Sequence, residues 1–256
     1  MSPATAIRAV LFDMDDTLID WSRVPIDAWQ NHERSCLRRV WRWLAQRGPV
    51  PAFQLFDEAY FREMYASWRK GKRNWVAPHL ADILTHALHA VGIRDERCDR
   101  EALLAAYGDQ PPPGLRTFPD VIPTLQQMRR LDLRLGLITN ASQPMSLRDE
   151  TLRAHGLLEF FPDVRLSAAD VGYLKPHRAI FAEALERLGV RAEQALYVGD
   201  NLIADIHGAQ EAGIFAVWRT RPGVDLASQT TPMFPITPDL TIHSLTELLP
   251  TLAERT

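Results

Sequence analysis

The chain is short of cysteine, of long apolar runs and of any excess of one charge. Each shortage closes off a class of protein. Two cysteines, Cys36 and Cys98, occur among 256 residues, and they form no CxxC pair. A disulfide-stapled secreted fold is therefore not expected, and a reduced, cytoplasmic setting is. No stretch approaches the roughly 20 apolar residues of a membrane-spanning helix. Met1–Ala6 is short and the first apolar run ends in acids, so no secretory leader is expected. The 29 basic residues nearly balance 32 acidic ones, for a formal net charge of −3. No global field draws such a chain to nucleic acid or to an anionic membrane. Internal repeats and low-complexity tracts are missing as well. What remains, 46% hydrophobic and 24% charged, is ordinary globular composition. The length suits one large domain or a domain carrying an insertion.

Against that background one stretch organises the rest: Ala9-Val10-Leu11-Phe12-Asp13-Met14-Asp15-Asp16-Thr17-Leu18. Its apolar part, Ile7 to Phe12, has the length and composition of a buried parallel strand. Such a strand carries the residues at its carboxyl end to the rim of the sheet, where open α/β folds keep their active sites. One Asp there would suit a turn or an N-cap. Three within four positions repel one another unless a cation holds them.

The next stretch, about Trp21 to Gly108, reads as helical. Ile26, Trp29, Glu33, Cys36, Val40 and Leu44 fall near one face, and among them only Glu33 is polar. Phe53, Phe56, Tyr60, Met64 and Trp68 repeat the pattern up to Gly71, and Leu80, Leu84, Leu88 and Val91 up to Gly92. Asp99 caps a short fourth helix, Arg100 to Tyr107. Four helices with apolar faces predict a small bundle, and the proline-rich segment Gln110 to Gly114 a hinge out of it. From Phe118 helices and strands alternate. Asp120 is expected to cap a helix through Val121, Leu125 and Met128, and strands are expected at Arg134–Ile138, Val164–Leu166, Ala195–Val198, Ile214–Val217 and Leu240–Ile242. Lys175-Pro176 is expected to open a helix through Ile180 and Leu188, and Arg221 to Pro238 to form a surface loop. Alternation of this kind implies a parallel sheet covered on both faces.

Three strands then end in reactive groups: Asp13 and Asp15, Thr139-Asn140, and Asp200. Lys175 stands just before the third. In a parallel sheet these ends share one edge. Two or three carboxylate oxygens with water suit Mg²⁺. A hydroxyl, backbone N–H groups and an ammonium suit phosphoryl oxygens, which leaves one aspartate as nucleophile. Taken singly, Thr139-Asn140 is a turn, Lys175-Pro176 a solvated helix start, Gly199-Asp200 an N-cap and Asp205 a surface charge. Their joint order carries the argument.

Four blocks in that order resemble the haloacid dehalogenase (HAD) superfamily. They are Asp13-Met14-Asp15-Asp16-Thr17, Ile138-Thr139-Asn140, Lys175-Pro176, and Gly199-Asp200-Asn201-Leu202-Ile203-Ala204-Asp205. The resemblance implies an α/β fold, a HAD-like Rossmann-like parallel core over residues 1–20 and 115–256, with an all-α helical-bundle cap domain inserted over 21–114. It also implies a Mg²⁺-dependent phosphatase of small phosphorylated metabolites, nucleotides or sugar phosphates among them. Asp13 would form an aspartyl-phosphate, and Asp15 would protonate the leaving oxygen and then activate water. Mg²⁺ would bind Asp13, Asp200 and the backbone carbonyl of Asp15. Thr139, the Asn140 N–H and Lys175 would hold the phosphoryl oxygens, while Asp205 would fix Lys175 or a water at the metal. The superfamily's dehalogenases lack an acid at the Asp15 place, because a halide leaves without a proton. Where glycine commonly follows that acid in the family, this chain has Asp16, a variant frequent among its phosphatases.

Two other classes share part of this pattern. A phospho-acceptor signalling domain also gathers aspartates, Thr and Lys around Mg²⁺, but the helical insertion and the position of Asp13 on the first strand speak against it. A non-catalytic HAD-like binding protein is disfavoured because every core position is filled. Specificity is expected in the insertion, where Arg69, Lys70, Lys72, Arg73, Asn74 and Trp75 read as a basic interhelical turn. Trp21 is expected to close over the site. His79, His86 and His89 lack the acids and spacing of a zinc site. The expected partner is a small phosphomonoester, with no nucleic acid and no membrane. Substrate identity and oligomeric state are left open by these patterns.

Overall fold

A computed structural model of the chain describes residues 6–108, 110–221 and 236–255. The chain begins with β1 (Ala9–Phe12) and β2 (Ile19–Asp20), then four helices, α1 (Ile26–Ala45), α2 (Phe53–Asn74), α3 (Leu80–Ala90) and α4 (Arg100–Tyr107). After β3 (Arg116–Thr117) and α5 (Val121–Arg130) come β4 (Arg134–Thr139), α6 (Met145–Ala154), β5 (Val164–Ser167), α7 (Ala168–Val171) and α8 (Arg178–Leu188). The remainder is β6 (Ala195–Gly199), α9 (Gly208–Glu211), β7 (Phe215–Arg219), β8 (Leu240–Ile242) and α10 (Leu248–Arg255). Most of the loop expected over Arg221–Pro238 lies outside the described residues.

The main sheet has the strand order β5-β4-β1-β6-β7-β8, and its pairings are parallel. This is the parallel sheet expected from the alternation of elements, and the Rossmann-like α/β core that the resemblance implies. Strand β1 lies at the middle, flanked by β4 and β6, so the three reactive strand ends are neighbours. Alternation along β1 divides its side chains between two interiors. Val10 and Phe12 pack with Leu137, Val198 and Phe161 on one face, and Ala9 and Leu11 with Ile138, Tyr197 and Phe181 on the other. Each such fully buried side chain contributes about 1.5–3 kcal/mol of burial free energy. Gly136 is required opposite Leu11, because a Cβ there would sit 2.6 Å from Leu11 Cδ2.

The helices α1 to α4 enclose a separate apolar interior built from Leu37, Val40, Phe56, Tyr60, Leu84, Leu88, Leu103 and Tyr107 among others. The expected helical stripes thus meet one another rather than the sheet. The chain enters and leaves this bundle through an antiparallel ribbon, in which Ile19 pairs with Thr117 and Asp20 with Arg116. Two-residue strands give no periodic signal, so the ribbon is invisible in the sequence.

Three local expectations are corrected. Gly71 does not stop α2, which runs to Asn74. Arg69 to Asn74 are therefore its last turns, not an interhelical turn, and the basic residues sit favourably at a helix C-terminus. Gly71 instead allows the Val76 carbonyl close, since a Cβ would meet that oxygen at 2.7 Å. The helix after Lys175-Pro176 starts later, at Arg178, with His177 Nδ1 accepting from Ala179 N as its cap. Asp120 does not cap α5; its carboxylate accepts from Arg219 and from Ser244 and Leu245.

Candidate active site

The segment after β1 turns Asp13 and Asp15 to different neighbours. Asp13 is buried, its backbone N–H bonded to the Val198 carbonyl, which extends the β1–β6 ladder by one residue. Its Oδ1 accepts from Lys175 Nζ at 2.5 Å. Lys175 is only 2% exposed, so it is no solvated helix start. Its ammonium also reaches Asp205 Oδ1 at 2.7 Å, the Tyr197 hydroxyl at 2.9 Å and the Ile138 carbonyl at 3.1 Å. Asn140 fixes the lysine's backbone from both sides: Lys175 N donates to Asn140 Oδ1 at 2.8 Å, and Asn140 Nδ2 donates to Lys175 O at 3.0 Å. With its side chain so engaged, Asn140 has its backbone left to offer a ligand.

Asp205 stands behind the lysine. Besides Lys175 it takes the Tyr197 hydroxyl on Oδ1 at 3.2 Å and the Asn201 N–H on Oδ2 at 2.9 Å. Asn201 caps the wide helical turn that follows β6, accepting from Ile203 N and Ala204 N, and this turn brings Asp205 back under the strand. Gly199 makes the approach possible, because an added methyl would meet the Asp205 carboxylate, with Oδ2 at 2.5 Å.

Carboxylate oxygens of Asp13, Asp200 and Asp205 lie within 4.8 Å of one another, close enough to share a cation. The oxygens of Asp205 are engaged as just described, which leaves Asp13 and Asp200 as the better donors. Their electrostatics agree. Burial pushes the Asp13 carboxyl well above the usual range, against the pull of Lys175, and Asp205, Asp200 and Asp15 add to the push. Burial, then Asp205 and Asp16, raise Asp200 from 3.8 to about 7. Burial opposes the Lys175 charge, but Asp13 and Asp205 together outweigh it and hold the ammonium protonated, well above the ordinary lysine range. A divalent ion between Asp13 and Asp200 would offset both the burial of charge and the repulsion that raise them, so this donor set fits Mg²⁺.

Asp15 faces the helical bundle. Trp21 Nε1 donates to its Oδ1 at 2.7 Å. Thr139 Oγ1 donates to Oδ2 at 3.3 Å. Arg148, 6% exposed, is a partner the motifs do not announce: its Nη2 reaches Oδ1 at 2.7 Å and Oδ2 at 2.9 Å. The sequence does hold a signal, because Met145, Arg148, Thr151 and Leu152 form the buried face of α6 and an arginine there needs a partner. Tyr197, mid-strand in β6, lies outside all four blocks and escapes the motif reading. Of the histidines, His79 caps α3 through Nδ1, and none of the three joins a metal-ligating cluster among the described residues.

The fold and this strand-edge constellation define a class. A family model of haloacid dehalogenase-like hydrolases matches residues 7–213, and the chain belongs to that family. It is 35% identical over 218 residues to a glyceraldehyde 3-phosphate phosphatase of Methanopyrus kandleri, covering 85% of each chain. It is 30% identical over 236 residues to a phosphoserine phosphatase of Thermus thermophilus, covering 84% of this chain and 89% of that one. Among solved structures, a 2-haloacid dehalogenase from Pseudomonas syringae pv. Tomato superposes with a TM-score of 0.61 at 30% identity, covering 97% of this chain and 99% of that one. Within the family, the phosphatase relatives make this chain a phosphoric monoester hydrolase of small phosphorylated metabolites. No helix among the described residues is long and apolar enough to cross a membrane.

Proposed function

We propose that the chain hydrolyses a small phosphomonoester in two steps through an aspartyl-phosphate on Asp13, with Mg²⁺ as cofactor. The reading rests above all on Asp13, Asp15, Thr139 and Asp200 converging from the ends of three adjacent strands, with Lys175 reaching Asp13 from the loop before α8. An Asp13 oxygen attacks phosphorus, the bond to the leaving oxygen breaks with its electron pair, and Asp15 supplies the proton that makes it an alcohol. Asp15 then takes a proton from water, whose oxygen attacks the same phosphorus. Inorganic phosphate leaves and the Asp13 carboxylate returns. Thr139, the Asn140 N–H and Lys175 hold the phosphoryl oxygens. Asp205 is a positioning residue, acting through Lys175. Mg²⁺, held by Asp13, Asp200 and the Asp15 backbone carbonyl, would offset the repulsion between carboxylate and phosphate dianion.

Asp15 also separates this chemistry from halide release, which needs no proton. The indole, guanidinium and hydroxyl around it hold the carboxylate toward the cleft. Residues 1–20 and 115–256 form the catalytic core in this reading, and 21–114 the cap that selects the alcohol. The separate interior of α1 to α4 and the ribbon at both crossings support that division. A cytoplasmic setting, with neither nucleic acid nor membrane as partner, follows from the thiol usage and near-neutral charge.

The test is phosphate release from p-nitrophenyl phosphate. Turnover is expected with Mg²⁺, and loss of it in EDTA and in Asp13→Asn. Activity that survives both changes overturns the assignment. Asp15→Asn is expected to slow turnover while Mg²⁺ still binds, since only its backbone is assigned to the metal.

A further inference from the structure

One side chain outside the four motif blocks holds the backbone of Asp200. Trp218 lies on β7 directly beside Gly199 of β6, its register partner. Its side chain is buried, and it packs in the same interior as Leu202 and Ile206 of the turn that follows Asp200. From there Nε1 donates to the Asp200 carbonyl at 2.8 Å.

The other end of that peptide unit is held as well. The Asn201 N–H donates to Asp205 Oδ2 at 2.9 Å. A peptide unit is planar, so a carbonyl fixed on one side and an N–H fixed on the other hold the whole unit in place. The two anchors have separate origins, an indole on the neighbouring strand and a carboxylate four residues further on. Asp205 is itself buried and tied to Lys175 and to Tyr197, so the second anchor is rigid. The Cα of Asp200 belongs to the pinned unit. From it the carboxylate reaches a point where one of its oxygens lies within 4.8 Å of an oxygen of Asp13. A buried indole needs an acceptor for its N–H, and many carbonyls could serve. The acceptor here carries a carboxylate of the candidate metal centre.

We propose that Trp218 is a positioning residue of that centre: by pinning the Asp200 peptide it holds the carboxylate to the narrow geometry Mg²⁺ demands, and so sets a preference for Mg²⁺ over a larger divalent ion. The inference rests on the Mg²⁺ centre proposed above. Mg²⁺ demands near-octahedral oxygens at about 2.0–2.1 Å, whereas Ca²⁺ tolerates irregular shells at about 2.3–2.6 Å. A carboxylate on a fixed backbone cannot move outward to suit the larger ion, and one on a loosened backbone can. Loss of the indole donor therefore costs more affinity for Mg²⁺ than for Ca²⁺. Groups that orient a metal ligand typically carry about tenfold to a hundredfold in affinity.

The experiment titrates Mg²⁺ and Ca²⁺ separately into the metal-free full chain, at constant ionic strength and without substrate. Each Kd is taken from the dependence of Tm on metal concentration. In Trp218→Phe the Kd for Mg²⁺ is expected to rise about tenfold and that for Ca²⁺ by less than about threefold, so their ratio rises by more than about threefold. A side chain that only fills space lowers Tm at every metal concentration and leaves the ratio where it was. Should Trp218→Phe not fold, replacement of Trp218 by 3-benzothienylalanine keeps the bicyclic shape and puts sulfur where the N–H was. That replacement is expected to shift the ratio in the same direction and by a similar factor. A ratio that moves by less than about threefold overturns the inference. Absence of Mg²⁺ binding by the wild type would instead overturn the metal centre itself, and the inference with it.

Discussion

In the proposed mechanism Asp200 sets function against stability, and the conflict can be measured. Its carboxyl is raised from 3.8 to about 7, because it is withdrawn from solvent, though not fully buried, beside Asp205 and Asp16. A carboxyl raised in the folded state favours folding below its unfolded value and loses that contribution as pH climbs through its folded value. Without metal, the protein should therefore lose stability between about pH 4 and pH 7 on account of this group. Holding it ionised at pH 8 costs at most about 4 kcal/mol. Partial exposure to solvent reduces this to about 2 kcal/mol. Asp200→Asn keeps the shape and removes the charge. In EDTA at pH 8 the variant should be the more stable protein by about 2 kcal/mol, a rise in Tm of roughly 4–8 °C for a chain of this size. At pH 4 the advantage should vanish. Magnesium should reverse the order: wild type gains about 2.7 kcal/mol at a hundredfold excess over Kd, and the variant gains little. Thermal melts across pH, with EDTA or Mg²⁺, supply every number needed. A variant less stable than wild type in EDTA at pH 8, or one that Mg²⁺ stabilises equally, refutes the reasoning.

Two further perturbations test the same centre. Gly199→Ala drives a methyl into the Asp205 carboxylate. It should displace Asp205 from Lys175 and lower kcat by about tenfold to a hundredfold, with circular dichroism close to that of wild type. Lys175→Met leaves Asp13 and Asp205 facing each other without the ammonium between them. We expect about 3–5 kcal/mol of destabilisation in urea melts without metal. The loss should grow as pH rises and the carboxylates ionise, together with loss of phosphatase activity.

The parts of the fold legible in the sequence are those with a period. The β1 run and the helical stripes of α1 to α4 each repeat often enough to be read. Convergence of Asp13, Thr139, Lys175 and Asp200 is legible because a parallel sheet brings strand ends to one edge whatever their separation in sequence. Features set by tertiary approach are not. Gly71 looks like a helix stop and is a gap for the Val76 carbonyl. Asp120 looks like a cap and is an anchor for Arg219 and Ser244. Arg148 looks like one more surface arginine until α6 is turned to show its inward face. Glu33 is visible as the polar member of an apolar stripe, but two of its hydrogen bonds come from tyrosines 27 and 74 residues away.

The division of the apolar interior into separate clusters has a consequence for how such a chain can change. Phe12 and Phe181 belong to the two faces of the sheet, and Phe56 and Leu84 to the helical bundle. Cohesion of the bundle does not draw on the side chains that steady the aspartates. If the bundle selects the alcohol as proposed, residues on its inner lip can drift, through mutation or by design, toward a new alcohol while the hydrolytic machinery keeps its alignment. One scaffold can in this way found a lineage of enzymes that share a reaction and differ in diet.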